Sequence, residues 1–209
     1  MTMTDSVLTH IERLKRPVFT SREISTISGK SLSTTVQALN HLQQQDVIKK
    51  VYRGIWIKHH SSDFSPYAVV PFLLPHQQVY VSFVSALHLY DIIGQIPQII
   101  TIATMTHSKI IETKVGVYKF HRIAPSFFQG FKWYKGVRSF LIAEREKALI
   151  DCLYISTRRN KQYGHFPELH LKRSFSIKRA HCWVKKITSS NIRLDVRKKL
   201  AKIQDIYSK

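Results

Sequence analysis

The stretch 31–58, SLSTTVQALNHLQQQDVIKKVYRGIWIK, changes its hydrophobic period halfway along. Its first part places Leu32, Val36, Leu39 and Leu42 three and four residues apart behind hydroxyl caps, which is one side of a helix. Its second part sets β-branched and aromatic residues on both sides of Arg53-Gly54, and a glycine able to take positive φ there predicts strand, tight turn, strand. Working outward, Val7, Leu8, Ile11 and Leu14 form a helical face that Pro17 stops. Thr20 or Ser21 then caps a short helix carrying Ile24 and Ile27, which Gly29 ends. Three helices and a hairpin predict a winged helix-turn-helix over residues 1–60.

In that motif the second helix of the helix-turn-helix enters the major groove, and flanking groups hold phosphates. Opposite its apolar side, helix 31–45 displays Ser33, Thr34, Gln37 and His41, and Gln37 carries the paired donor and acceptor that suit adenine. An ordinary surface helix also shows a polar face. The neighbouring residues tip the balance. Lys30 precedes the helix, and the hairpin adds Lys49, Lys50, Tyr52, Arg53 and Lys58. The expectation is binding to double-stranded DNA, with Ser33, Thr34, Gln37 and His41 as base readers and Lys50, Arg53 and Lys58 as phosphate anchors.

Charge supports a polyanionic partner: 33 Lys and Arg stand against 13 Asp and Glu, a net +20. The excess is uneven. Residues 1–78 and 79–156 each carry 9 basic and 5 acidic groups, whereas residues 157–209 carry 15 and 3. A second basic surface is therefore expected from Arg158, Arg159, Lys172, Arg173, Lys185, Lys186, Arg197, Lys198 and Lys199, contacting DNA beside an operator or RNA.

Other classes find little support. The longest apolar runs, YAVVPFLL and IPQIITIATM, fall short of the about 20 residues a membrane span needs, and the start has no basic-then-apolar leader. A cytoplasmic protein without a membrane partner is expected. Cys152 and Cys182 sit in apolar segments and read as buried free thiols. Eleven histidines show no ligand spacing, so no metal or other cofactor is assigned. No nucleophile elbow or phosphate-cradling glycine loop is present.

Two charged clusters remain. In 141–154, LIAEREKALIDCLY, Glu144 and Glu146 fall in a first helical turn, where acids suit the dipole, and Lys147 can meet Asp151 one turn on. Glu144 and Glu146 point about 200° apart on a helix, so a structural helix is expected and no catalytic pair. Along IETK, Glu112 and Lys114 would share a strand face, as in the Glu-x-Lys half of metal-dependent nucleases, with Asp91 as a third group. A solvent-facing strand edge yields the same pattern. No enzyme is expected.

The rest reads as α+β. Residues 61–78, with Pro66, Pro71 and Pro75, are expected to be a linker whose apolar part packs on a neighbouring surface. Residues 79–209 should form the second domain. It opens with a short extended entry and a helix capped by Ser82 and ended by Gly94. Strands follow in QIITIAT, KIIETK, GVYKFHRI and VRSFLIA, then the helix just described and a basic, mostly helical tail from about 168 to 207.

Three segments of this domain together resemble the AbiEi antitoxin family of bacterial type IV toxin–antitoxin (abortive infection) systems. YVSFVSALHLYDIIGQIPQIITIAT, through Tyr80, Ser82, Ser85, Ala86, Leu87, Pro97 and Thr101, is similar to the family's helix-then-strand signature. GVYKFHRIAPSFFQGF resembles the hairpin that follows, and LIAEREKALIDCLYI its Ala-x-x-Glu-Lys-Ala-Leu-x-Asp-x-Leu-Tyr helix. Glu144-Arg145 replace the family's usual Ser-Pro, which removes a good cap. The resemblance implies a winged helix that represses its own operon at promoter repeats. It also implies a C-terminal domain that counteracts a nucleotidyltransferase-like toxin without a stable complex. The rival expectations are a metal-dependent nuclease with a winged-helix targeting domain and a ligand-responsive transcription factor.

Overall fold

Hydroxyl caps start the first three helices of the chain. In the computed structural model, which describes residues 6–59, 64–134, 140–158, 163, 168–171 and 174–207, Ser6 accepts the Thr9 amide and opens α1 (Val7–Arg13). Strand β1 (Val18–Thr20) follows Pro17 and runs into α2 (Ser21–Ser28), where Thr20 and Glu23 form a reciprocal capping box. Gly29, at φ 67°, ends α2, and Ser31 accepts the Thr34 amide to start α3 (Leu32–Gln44). Strands β2 (Ile48–Tyr52) and β3 (Ile55–Lys58) flank a turn with Gly54 at φ 69°. They pair with β1 in an antiparallel sheet of order β1-β3-β2. Three residues are too few to show a period of two, which is why β1 is absent from the sequence reading.

The core of this unit joins Val7, Ile11, Phe19, Ile24, Leu39, Ile48 and Trp56. The Trp56 indole N–H donates to the Ser21 hydroxyl at 2.8 Å, so the one polar atom of that buried ring is satisfied. The expected linker is partly helical instead. Pro66–Val69 make a 3-10 turn leading into α4 (Val70–Leu73), and Ala68, Val69, Val70 and Leu73 are buried. Pro66 and Pro71 stand near the starts of these short helices, where a missing N–H costs little, and Pro75 follows the second. The chain divides into two units, residues 1–73 with 113–115 and residues 74–112 with 116–209.

The second unit follows a mixed order of strands and helices. In sequence these are β4 (Tyr80–Val81), α5 (Phe83–Leu89), β5 (Ile99–Thr104), β6 (Lys109–Thr113), β7 (Gly116–Arg122), β8 (Phe131–Trp133), β9 (Leu141–Ala143), α6 (Arg145–Ser156), α7 (Ile177–Lys185) and α8 (Ser190–Tyr207). The six-stranded sheet has the order β6-β7-β5-β4-β9-β8. Its β5–β7 and β4–β9 pairs are parallel, while β4–β5 and β8–β9 are antiparallel. Helix α6 packs against α5, α7 and α8 and is buried from Glu146 through Ser156. The chain is thus a mixed α+β protein.

Helix α5 stops at Leu89 rather than Gly94. Asp91 takes φ 54°, and its amide donates to the His88 carbonyl at 2.8 Å, so an aspartate occupies the left-handed position expected of glycine. Ser82 stands at the N-cap but makes no side-chain cap, because its hydroxyl donates to Asp151 Oδ2 at 2.7 Å. Thr101 takes over the task of fixing the helix start. Its hydroxyl donates to the Ser82 carbonyl at 2.8 Å and accepts the Ser85 amide at 3.2 Å.

At the centre lies a buried ion pair between Lys147 and Asp151, both with no exposed side-chain surface. The Tyr80 hydroxyl donates to Asp151 Oδ2 and accepts from Lys147 Nζ, each at 3.2 Å. The ammonium also stands 3.9 Å from the Phe127 ring centroid. Burial pulls the Lys147 pKa down and pushes that of Asp151 up, and the attraction between them opposes both shifts. Glu146, likewise buried, accepts the Ser176 amide at 2.9 Å, one residue before α7 begins. Glu144 caps α6 with backbone only, in keeping with the missing Ser-Pro. Gly130 has φ 78°, and a Cβ there would lie 2.4 Å from the Trp183 ring. Any larger residue would displace that indole. Cys152 is a buried free thiol as expected, whereas Cys182 is exposed because α7 buries Ala180, Trp183 and Val184 instead.

Removing one member of the central pair strands the other charge in a dry interior. Asp151→Ala should lower stability by about 3–5 kcal/mol in urea unfolding, while Lys147→Met with Asp151→Leu should cost clearly less. A second test concerns His121 on β7, buried against Phe83 and bonded to the Tyr163 hydroxyl at 3.2 Å. Burial, with the charges of Lys119 and Arg158, lowers its pKa to about 4. The unfolded imidazole titrates near 6.5, so this contribution is whole above that pH and is lost as pH falls through about 4. The loss should be on the order of 3 kcal/mol and should vanish in His121→Phe, as read by urea unfolding across that window.

Candidate nucleic-acid interface

The buried side of α3 is not the one the leucine spacing indicates. Thr35 and Leu39 are buried, with Ala38 and Leu42 packed on the core beside them, whereas Leu32 is 47% exposed. At 100° per residue this turns the inward direction by roughly 50° from a Leu32–Val36–Leu39–Leu42 stripe. Thr35 can face inward because its hydroxyl donates to the Ser31 carbonyl at 2.9 Å, leaving a methyl for the core. The residues opposite are Ser33, Gln37, Asn40 and Gln44, all exposed. Gln37 and Ser33 were anticipated, and Asn40 and Gln44 were not. Counting Thr35 and Ala38 as core would have revealed them, but a threonine among leucines reads as polar.

Thr34 and His41 lie at the margin of this stripe and are already engaged. The Thr34 hydroxyl shares a 2.8 Å hydrogen bond with Ser31 Oγ, and Ser33 Oγ lies 3.0 Å from the same atom. His41 Nε2 accepts from the Gln45 amide nitrogen at 3.0 Å when the ring is neutral. Gln37 is exposed, and among the described residues its side-chain amide makes no hydrogen bond.

The hairpin supplies cations in three settings. Lys49 and Arg53 are exposed, Arg53 at the turn itself. Lys50 is half-buried and extends its ammonium 5.4 Å from the Trp56 ring centroid, a position that restrains the stem. Tyr52 and Lys58 are half-buried at the strand ends, and a bulge between Lys50 and Tyr52 shifts the register there. Lys30 sits half-buried before α3, its carbonyl accepting the Ser25 hydroxyl at 2.8 Å. Helix α3 packs against β2, so the polar stripe and the hairpin belong to one body.

The second basic set divides by task. Arg159, Lys172 and Arg173 lie outside the described residues. Arg158 donates to the Arg122 carbonyl at 2.6 Å, and Lys199 donates to the Ser156 carbonyl and hydroxyl at 3.1 and 2.8 Å, at the C-terminal end of α6. These two therefore support the fold, Lys199 where a helix end favours a cation. Lys186 packs 4.1 Å from the Trp183 ring centroid. Lys185, Arg197 and Lys198 are exposed. Sequence reading missed Arg193 and His181, which join Lys185 and Arg197 around a groove between α7 and α8.

Glu112 and Lys114 do not share a strand. Glu112 is exposed on β6, but β6 ends at Thr113, so Lys114 falls in the turn beyond the alternation that would align it with Glu112. Asp91 follows α5 in its left-handed conformation. Among the described residues, no three His, Cys, Asp or Glu side chains are grouped to hold a metal ion. No described helix is long and apolar enough to cross a membrane. No protein-family model matches the chain, and no curated protein is significantly similar to it.

The rotated face of α3 makes an unequal pair of mutations. Leu39→Ala should destabilise by about 2–5 kcal/mol, whereas Leu32→Ser should change stability by less than about 0.5 kcal/mol, despite the same heptad-like spacing. Chemical denaturation of the two variants checks this.

Proposed function

We propose that the chain is a DNA-binding antitoxin of the type IV class, acting through an N-terminal winged helix-turn-helix as repressor of its own operon. The observation that carries the reading is the solvent-facing row Ser33, Gln37, Asn40 and Gln44 on α3, set on the same body as the Lys49–Lys58 hairpin. Side-chain amides pair bidentately with adenine in the major groove, and Lys and Arg hold phosphates without reading sequence. The order helix, strand, helix, helix, hairpin supports the winged-helix assignment, with α2 and α3 as the helix-turn-helix and the hairpin as the wing.

The antitoxin part of the proposal rests on the resemblance of residues 80–155. Among the residues that carry it, Tyr80, Ser82, Ser85, Thr101, Lys147 and Asp151 belong to linked buried hydrogen bonds between β4, α5, β5 and α6. Their burial supports a scaffold role over acid–base chemistry, and the reading we propose is non-enzymatic. Antagonism of a nucleotidyltransferase-like toxin would then be exerted from the surface of this unit. Growth arrest by the neighbouring gene, relieved by this chain, supports the antitoxin half. A neighbour without toxicity overturns it and leaves a plain transcription factor.

Binding to the DNA upstream of the chain's own gene should exceed binding to scrambled duplexes in gel-shift titrations. Gln37→Ala should relax preference at one base pair by about 1–3 kcal/mol. Arg53→Ala should weaken all sequences alike and make the salt dependence shallower by about one unit of slope. Equal affinity for upstream and scrambled fragments would remove the reading.

A further inference from the structure

The groove between α7 and α8, about 700 Å³ in volume, is lined by His181, Val184, Lys185, Ser190, Arg193, Leu194 and Arg197. Its charged lining is wholly basic, with no carboxylate. Arg193 and Arg197 are one turn apart on α8 and so share a face, where like charges destabilise a helix unless an anion intervenes. Lys185 closes the opposite side from the last turn of α7. Among the described residues, none of these three side chains forms an ion pair. Arg193 is held in place all the same, since its guanidinium donates to the Ile187 carbonyl at 2.8 Å. A fixed guanidinium keeps further N–H groups to offer, a geometry suited to phosphate oxygens. The first turn of α8, at Ser190, adds the positive end of an 18-residue helix to the same groove.

We infer that this groove binds the sugar–phosphate backbone of a nucleic acid, as a site separate from α3. Phosphate would meet Lys185, Arg193 and Arg197, and the aliphatic walls of Val184 and Leu194 suit the sugars between phosphates. A polymer is favoured over a free nucleotide because no Phe, Tyr or Trp ring lines the groove to stack on a base, its one imidazole, His181, standing 3.4 Å from the Gln204 side-chain oxygen, and because the cations continue outside it at Lys178, Arg179, Lys198 and Lys202. The site does not depend on the winged-helix reading, since it would engage any sequence.

The test uses the full chain and two double variants with equal loss of charge, Lys185→Gln with Arg197→Gln inside the groove and Lys178→Gln with Lys202→Gln outside it. Circular dichroism and thermal unfolding establish that each is folded. All four positions are exposed, and for either pair that fails, its single variants are measured instead. Affinity for a scrambled DNA duplex, a hairpin RNA, ATP, inorganic phosphate and polyglutamate is measured by competition at salt from about 0.05 to about 0.3 M. The groove pair should reduce the log–log salt slope on duplex DNA by about 1.8, from about 0.9 for each lost phosphate contact, and the outside pair by clearly less. Binding that follows DNA or RNA and ignores ATP and phosphate supports the polymer. The inference is overturned if both pairs act equally, if neither changes the slope, if ATP or phosphate competes as well as duplex, or if polyglutamate is the ligand the groove pair loses. Retained preference for the upstream fragment in the groove pair would leave the α3 reading standing even then.

Discussion

The Lys147–Asp151 pair is the constraint around which the second unit is arranged. Two opposite charges with no exposed surface are tolerable only if their remaining hydrogen-bonding capacity is filled, and here Tyr80 and Ser82 fill it from β4 and the start of α5. That requirement fixes α6 against β4 to within hydrogen-bond length. It also explains why Ser82 fails to cap its own helix and why Thr101 must hold that helix start from β5. Phe127 and Trp183 close over the ammonium, and Gly130 stays free of a side chain so that Trp183 can reach its place. A pair of this kind contributes little net stability compared with apolar replacements, but it penalises any register in which the partners miss each other.

The first unit solves a different problem. Its core is small, and α1, α2 and α3 each start with a side-chain cap and lose little to frayed ends. Turning Thr35 inward, with its hydroxyl returned to the Ser31 carbonyl, lets α3 reserve a complete polar side for solvent or a ligand. The resulting surface is chemically uniform, made of amides and a hydroxyl without carboxylates, which is the quality the proposed DNA reading uses.

The basic C-terminal part shows that a charge excess need not form a single surface. Arg158 and Lys199 serve backbone carbonyls, and Lys186 lies on an indole. Others line the α7–α8 groove, where no carboxylate joins them in the lining. Composition counts all of these alike. Only their surroundings separate a cation that completes a helix end from one left open to an anion.

By itself the sequence determined the identity and order of the strongly patterned elements, since caps, glycines and hydrophobic period act over four or five residues. Thr20 with Glu23, Gly29, Ser31 and Gly54 do in the structure what their local chemistry dictates. The short strands β1 and β8, the helical Pro66–Leu73 segment and the left-handed Asp91 escaped it. In these the decisive partners are distant along the chain, or a proline falls at the one helical position that accepts it. Tertiary structure alone decided which face of α3 points outward, that Lys147 and Asp151 are buried rather than on the skin of a helix, and which lysines remain free. The physical reason is common to all three: burial is a property of what packs on a residue, and a threonine or a lysine enters a core only when a particular partner, brought from elsewhere in the fold, satisfies its polar atoms.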